Sequence, residues 1–286
     1  MFLGVWVTIL TTASAGLYAH GPLHEQIEGI SRHIEEQPRN ARLYLRRGEL
    51  YRLDENAAAA EADYERAARL DPALHEVHLA LGQLHFDEGH AGKALTHVNV
   101  YLTYEPDRAD AIFLRARALA ELDRRHDAIR AMDRAIERTS KPLPVHYLER
   151  ARLAVQSTGD AIDRAILGLD EGIARLGPVA TLQWYAIDLE AARGRYDEAL
   201  VRLDRLATQY NRKEVLLKRR GELLETAGRW MEAQAAYTEA LDAVDALSTR
   251  TRHTSSTMEL ESFLRNKLRA TGPEMKTSGT ERSKAP

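Results

Sequence analysis

Histidine offers the most chemistry in this chain. There are eleven, and five fall close together at His75, His78, His85, His90 and His97. Imidazole ligates zinc, copper and nickel through a ring nitrogen and exchanges protons near neutral pH. The spacing argues against the simplest metal site. His75-Glu76-Val77-His78 is one residue short of the two-histidine zinc motif on a helix, although an i, i+3 pair shares a face. His78 and His85 stand two helical turns apart, about 10 Å at the usual rise, too far for one ion unless a third element lies between them. Both occupy packing positions, which favours interior histidines with satisfied nitrogens. A second arrangement lies near the N-terminus. Cleavage after Ala19 would leave His20 first, and its free amine and imidazole, with His24 close by, offer nitrogen ligands to copper(II). Cleavage after Ala15 removes that geometry, and His24 is then a surface residue.

Other reactive groups are scarce. The chain has no cysteine, which excludes disulfides, thiol catalysis, thiolate metal sites and a lipid-bearing Cys. It has no Gly-rich phosphate loop, nucleophile elbow or HExxH motif. Carboxylate pairs such as Asp54 and Glu55, or Glu35 and Glu36, fall at helix ends or on exposed faces, where solvated charge accounts for them. Runs such as Asp123, Arg124 and Asp127 read as surface pairs. No enzyme, no small-molecule substrate and no cofactor are expected.

What must position any site is a repeat. Ala60, Ala94, Ala128, Ala165, Ala199 and Ala233 recur at intervals of 34, 34, 37, 34 and 34 residues, and 34 residues is the length of one helix-turn-helix unit. Four residues after each alanine stands a larger apolar residue: Tyr64, Val98, Met132, Leu169, Leu203 and Tyr237. Seven after it come Ala67, Tyr101, Ala135, Gly172, Leu206 and Ala240, so the three positions mark one helical face. Twelve residues before four of the alanines are Gly48, Gly82, Ala116 and Gly221, slim residues where a partner helix must approach closely.

The pattern resembles the tetratricopeptide repeat family. Tyr44, Gly48, Tyr51, Ala60, Tyr64, Ala67 and Pro72 fill nearly every signature position, and Leu217, Gly221, Leu224, Gly228, Trp230, Ala233, Tyr237 and Ala240 do so again. Units are expected at 41–74, 75–108, 109–143, 144–179, 180–213 and 214–247. The fourth is broken by about three extra residues around Lys141 to Pro144 and at the turn near Ser157 to Asp160. The fifth carries Ile187 where glycine is usual. The resemblance implies an all-α fold, a right-handed superhelical solenoid of helix-turn-helix repeats whose concave wall is lined by the first helix of each unit. Its fifth positions are Leu45, Leu79, Phe113, Leu148, Trp184 and Lys218; its ninth are Glu49, Gln83, Arg117, Arg152, Asp188 and Glu222. Such a wall implies a non-catalytic adaptor for a protein or peptide partner, with Phe113, Arg117, Leu148, Arg152, Trp184 and Asp188 as groove residues. The same leucines could instead pack against the neighbouring helix. Some members grip a terminal carboxylate with a Lys and Asn clamp; Leu45 and Glu49 stand at its first two positions here, so that subclass is rejected. Alternative roles are a periplasmic metal-handling protein using its His-rich N-terminal part, and an architectural subunit of an envelope complex.

The ends carry other information. Residues 1–19 hold no charged side chain and read as an export signal with cleavage after Ala15 or Ala19, giving a periplasmic or extracellular protein; an uncleaved membrane anchor is the alternative. Residues 20–40 are expected to hold a capping helix that starts around Pro22 and presents Leu23, Ile27, Ile30 and Ile34. Residues 248–270 are expected to hold a linker and a closing helix with a capping-box spacing at Ser256 and Glu259 ahead of Leu260, Phe263, Leu264 and Leu268. Residues 271–286 are expected to be disordered. A formal net charge of −3 provides no electrostatic footprint for nucleic acid or an anionic membrane.

Overall fold

A computed structural model describes residues 17–156 and 161–270, with side chains described from residue 23. Every regular element among them is a helix. The chain divides between Ser140 and Lys141 into two compact units, at the place where the extra residues interrupt the repeat count.

The first unit holds α1 (Leu17–Glu36), α2 (Ala41–Leu53), α3 (Ala57–Leu70), α4 (Glu76–Asp87), α5 (Ala91–Tyr104), α6 (Ala109–Glu121) and α7 (Arg125–Arg138). The pairs α2–α3, α4–α5 and α6–α7 are hairpins, and α1 packs on α2. The second unit holds α8 (Pro144–Val155), α9 (Ala161–Leu176), α10 (Ala180–Ala192), α11 (Tyr196–Ala207), α12 (Lys213–Thr226), α13 (Trp230–Asp245), α14 (Thr249–Arg252) and α15 (Ser255–Ala270). Here α8–α9, α10–α11 and α12–α13 pair, and α15 closes on α13.

The alanine beat is the seam of these hairpins. All six alanines are buried, none more than 2% exposed. A methyl there lets the two axes approach, and where the facing helix carries Gly48 or Gly82 even a methyl is too much. A Cβ at Gly48 would lie 2.5 Å from Tyr64 Cε1, and one at Gly82 2.7 Å from Val98 Cγ2. Ile187, where a glycine was usual, is itself fully buried, so the fifth hairpin fills its seam from the other side.

Five hairpin turns share one device. The residue five before the seam alanine has a left-handed backbone: Glu55 (φ 59°), Gly89 (78°), Asp123 (57°), Gly194 (73°) and Gly228 (76°). It lets amides reach back to the last carbonyls of the preceding helix, as Asn56 N does to Tyr51 O at 2.8 Å and Arg229 N to Leu224 O at 2.8 Å.

Two boundary expectations are corrected. Helix α1 begins at Leu17, not near Pro22; a proline sixth in a helix forfeits one amide hydrogen bond, and burial of Ile27, Ile30 and Ile34 holds the rest. The Ser256–Glu259 capping box does not form, because α15 starts at Ser255 and both residues lie inside it. Thr254 flanks that helix instead, its carbonyl accepting from Thr257 and Met258 at 3.0 Å each. The closing role of α15 rests on buried Leu260 and Leu264. The export segment up to residue 16, the turn at 157–160 and the tail 271–286 lie outside the described residues.

Candidate functional site

Within the first unit, α2, α4 and α6 stand side by side and leave a groove of about 290 Å³. Its apolar lining is Leu45, Leu79, Ala80 and Leu114, and its polar edge is Glu49, Glu76, Gln83 and Asp110. Positional logic explains the pairing. Leu45 and Glu49, like Leu79 and Gln83, are one turn apart on the same helix face, so an apolar row runs beside a polar one. Leu45 also packs on the core of its unit, with one edge against the core and one toward the groove.

The edge is acidic but partly engaged. Glu49 receives Arg52 at 3.2 Å, and Arg52 also reaches Asp87 at 2.8 Å. Asp110 is held by Arg108 at 2.9 Å. Glu76 has Arg42 only at 3.9 Å, with both side chains more than half exposed.

The six residues expected to line the groove distribute over both units. Phe113 is half-buried on α6, and Arg117, exposed one turn later, lies with its guanidinium 4.5 Å from the centre of the Phe86 ring. In the second unit Leu148 is half-buried and Arg152 exposed on α8. Trp184 on α10 packs against the buried cluster around Ile187 and Leu216, with part of its surface left open. Asp188 accepts from Arg219 on α12 at 2.5 Å. Burial raises the phenol pKa of Tyr185, a rise opposed by the positive charge of Arg152 and supported by Asp188. Arg152, Tyr185 and Asp188 thus share one electrostatic neighbourhood on α8 and α10.

The histidines form a cluster of their own on α4 and α5. His97 of α5 is the third element that sequence spacing required between His78 and His85. Its ring centre is 5.5 Å from that of His78 and 5.4 Å from that of His85, and the Nδ1 atoms of His78 and His97 are 3.2 Å apart. Burial, with the neighbouring imidazoles, holds both pKa values below the ordinary histidine range, so one nitrogen of the pair donates and the other accepts. His75 stacks on Tyr104 at 3.4 Å. His85 is 4% exposed, and its Nδ1 makes no hydrogen bond, contrary to the expectation that interior histidines would be satisfied. Near the N-terminus, His20 lies in α1 outside the residues with described side chains, while His24 is exposed with Nε2 3.2 Å from Glu28 Oε1.

Two residues that carry this geometry escaped the sequence reading, Leu114 and Glu88, and His90 was counted among the clustered histidines without being placed beside Glu88. Leu114 sits one residue after the fifth position, and Glu88 and His90 lie beyond the end of α4, off any helical face. The signal available was the short string His85-Phe86-Asp87-Glu88-Gly89-His90 across a glycine turn.

The tetratricopeptide repeat family profile matches residues 41–74. No curated protein matches the chain. Among solved structures, a tetratricopeptide repeat protein from Parabacteroides merdae is similar at 19% identity and a TM-score of 0.52, covering 87% of this chain and 94% of that one. The structure of Naa15/Naa10 bound to HypK-THB is similar at 17% identity and 0.52, covering 89% of this chain and 44% of that one. MamA from Desulfovibrio magneticus, from residue 41 to its end, is similar at 13% identity and 0.50, covering 56% of this chain and 90% of that one. With the paired helices and their buried alanine seams, these likenesses define the fold: an all-α repeat protein of helix pairs in the tetratricopeptide helix-turn-helix architecture.

Proposed function

We propose that the chain is a non-catalytic adaptor that holds a protein or peptide segment on the face formed by the first helices of its repeats. The observation that carries this reading is the groove on α2, α4 and α6, where Leu45, Leu79 and Leu114 form an open apolar floor beside Glu49, Glu76 and Asp110. An apolar floor buries anchor side chains, and a polar edge fixes register through hydrogen bonds and charge. The second unit offers Leu148, Arg152, Trp184 and Asp188 to the same or another partner. We further propose that the uncharged residues 1–19 direct the protein out of the cytoplasm.

The test is selection of peptides from a random displayed library on the full-length protein, followed by affinity measurement of the winners. Leu45→Glu with Leu79→Glu should reduce affinity at least about tenfold, the scale of losing two buried anchors. Winners that bind this variant, and the Phe113→Ala, Trp184→Ala variant, as tightly as the parent would overturn the groove reading. Sequencing the N-terminus of the protein recovered from the envelope fraction tests export separately; a chain that stays cytoplasmic with Met1 retained would refute it.

A further inference from the structure

We propose that His85, Glu88 and His90 form a binding site for one divalent transition cation of the zinc class, clamping the end of α4 to the start of α5. One ligand atom from each of the three lies within 4.8 Å of the others. Glu88 Oε2 is 3.4 Å from His85 Nδ1 and 3.7 Å from His90 Nδ1. Four ligands at the usual zinc distances, tetrahedrally placed, are separated by about 3.3 Å, so the two measured separations need only small side-chain adjustments to enclose an ion.

A second observation points to a ligand independently. His85 is nearly fully buried, yet its Nδ1 has no hydrogen bond, although Glu88 stands beside it. A buried ring nitrogen left unbonded costs roughly 1–3 kcal/mol, and a metal–nitrogen bond is one way to satisfy it. On the other side of the ring, His85 Nε2 faces Glu61 Oε1 of α3 at 3.9 Å. A carboxylate there suits the tautomer in which Nε2 carries the proton and Nδ1 is free to ligate.

The backbone fixes the spacing. Glu88 N donates to Leu84 O at 3.0 Å, Gly89 N to Phe86 O at 3.0 Å and His90 N to His85 O at 2.7 Å. With Gly89 at a φ of 78°, this turn places His90 back over the end of α4. Two imidazoles and one carboxylate suit zinc, and a water completes the tetrahedron. The exposed positions of Glu88 and His90 leave an entry path.

Zinc titration of the metal-free full-length protein against a chromophoric chelator tests the proposal, with cobalt(II) absorption reporting on ligand geometry. We expect one tight site per chain and a rise in melting temperature on zinc addition. Glu88→Gln and His90→Ala should each lower affinity at least about tenfold and abolish the rise, with metal-free melting unchanged because both side chains are exposed. His24→Ala should change nothing. Absence of binding at about 100 µM zinc, far weaker than structural zinc sites, would overturn the proposal. So would binding that survives both variants or is lost with His24→Ala.

Discussion

Gly48 and Tyr64 are in direct contact across the first hairpin, with the fully buried ring lying where a side chain at residue 48 would begin. The same contact recurs between Gly221 and Tyr237 in the last hairpin. There the ring is pinned, because its hydroxyl donates to Glu225 at 2.6 Å and Lys267 reaches both oxygens of that carboxylate at 2.8 Å. Alanine is the better helix former by about 1 kcal/mol, yet overpacking a seam costs about 1–3 kcal/mol. A ring that cannot retreat puts the cost toward the upper end. Gly48→Ala and Gly221→Ala should each destabilise the protein by about 1–2 kcal/mol in urea denaturation. Gly29→Ala on α1, where nothing lies within 4 Å, should stabilise by about 0.5–1 kcal/mol. Equal effects at all three positions would refute the seam argument.

The hairpin turns supply a second contrast. Glu55 holds a left-handed backbone that Gly89, Gly194 and Gly228 adopt without strain, and this conformation costs a side-chain-bearing residue about 1–2 kcal/mol. Part of that gain is offset by the greater freedom of glycine in the unfolded chain. Glu55→Gly should therefore raise stability by about 0.5 kcal/mol. Gly228→Val, the reverse change with a branched side chain, should lower it by more than 1 kcal/mol. Chemical denaturation of both variants checks the pair, and a stabilising Gly228→Val would sink the idea.

Acid should weaken the α4–α5 hairpin, which neutral pH leaves at full strength. Burial holds the pKa of His78 and His97 below the ordinary value near 6.5, with His75 acting on His78, and His78, His85 and Lys93 acting on His97. The unfolded chain then binds more protons than the folded one as pH falls below about 6.5, so stability drops with falling pH. Above that value the contribution is fully present. Melting temperature should therefore fall between pH 7 and pH 5, and the double variant His78→Gln, His97→Gln should flatten that fall. A melting profile of equal slope in parent and variant would exclude this pair as the cause.

Much of the fold was legible because one physical demand, close approach of two helices, recurs at a fixed interval and admits few residue types. The alanines and the glycines opposite them express it, while the stripe on α1 was legible by helical periodicity alone. The candidate site was less legible. Phe113 and Trp184 stood out by size, yet the groove is floored by Leu45, Leu79 and Leu114, and an aliphatic residue looks the same in sequence whether it faces a core or a cleft. Charged residues hid a similar ambiguity. Asp63 is 6% exposed and held by Arg47 through two hydrogen bonds of 2.7 and 2.8 Å, whereas Arg124 and Asp127 pair in the exposed setting that their spacing suggests. The His85, Glu88 and His90 grouping depends on a backbone turn, which helical periodicity does not describe.

Charge on the groove edge should decide which segments bind. Glu76 is more than half exposed and its nearest cation, on Arg42, is 3.9 Å away, so it keeps most of its field for a visitor. Asp110 is also exposed, though Arg108 neutralises it in part. Peptides selected on this protein should accordingly join apolar anchors to lysine or arginine. Glu76→Lys with Asp110→Lys should weaken them about tenfold at low ionic strength, chiefly through slower association. That difference should shrink as salt shortens the Debye length to about 3 Å at 1 M. The Leu45→Glu, Leu79→Glu loss should persist in salt, because burying apolar anchors does not depend on screening. If the two kinds of variant respond to salt alike, the division into an apolar floor and an acidic edge is wrong.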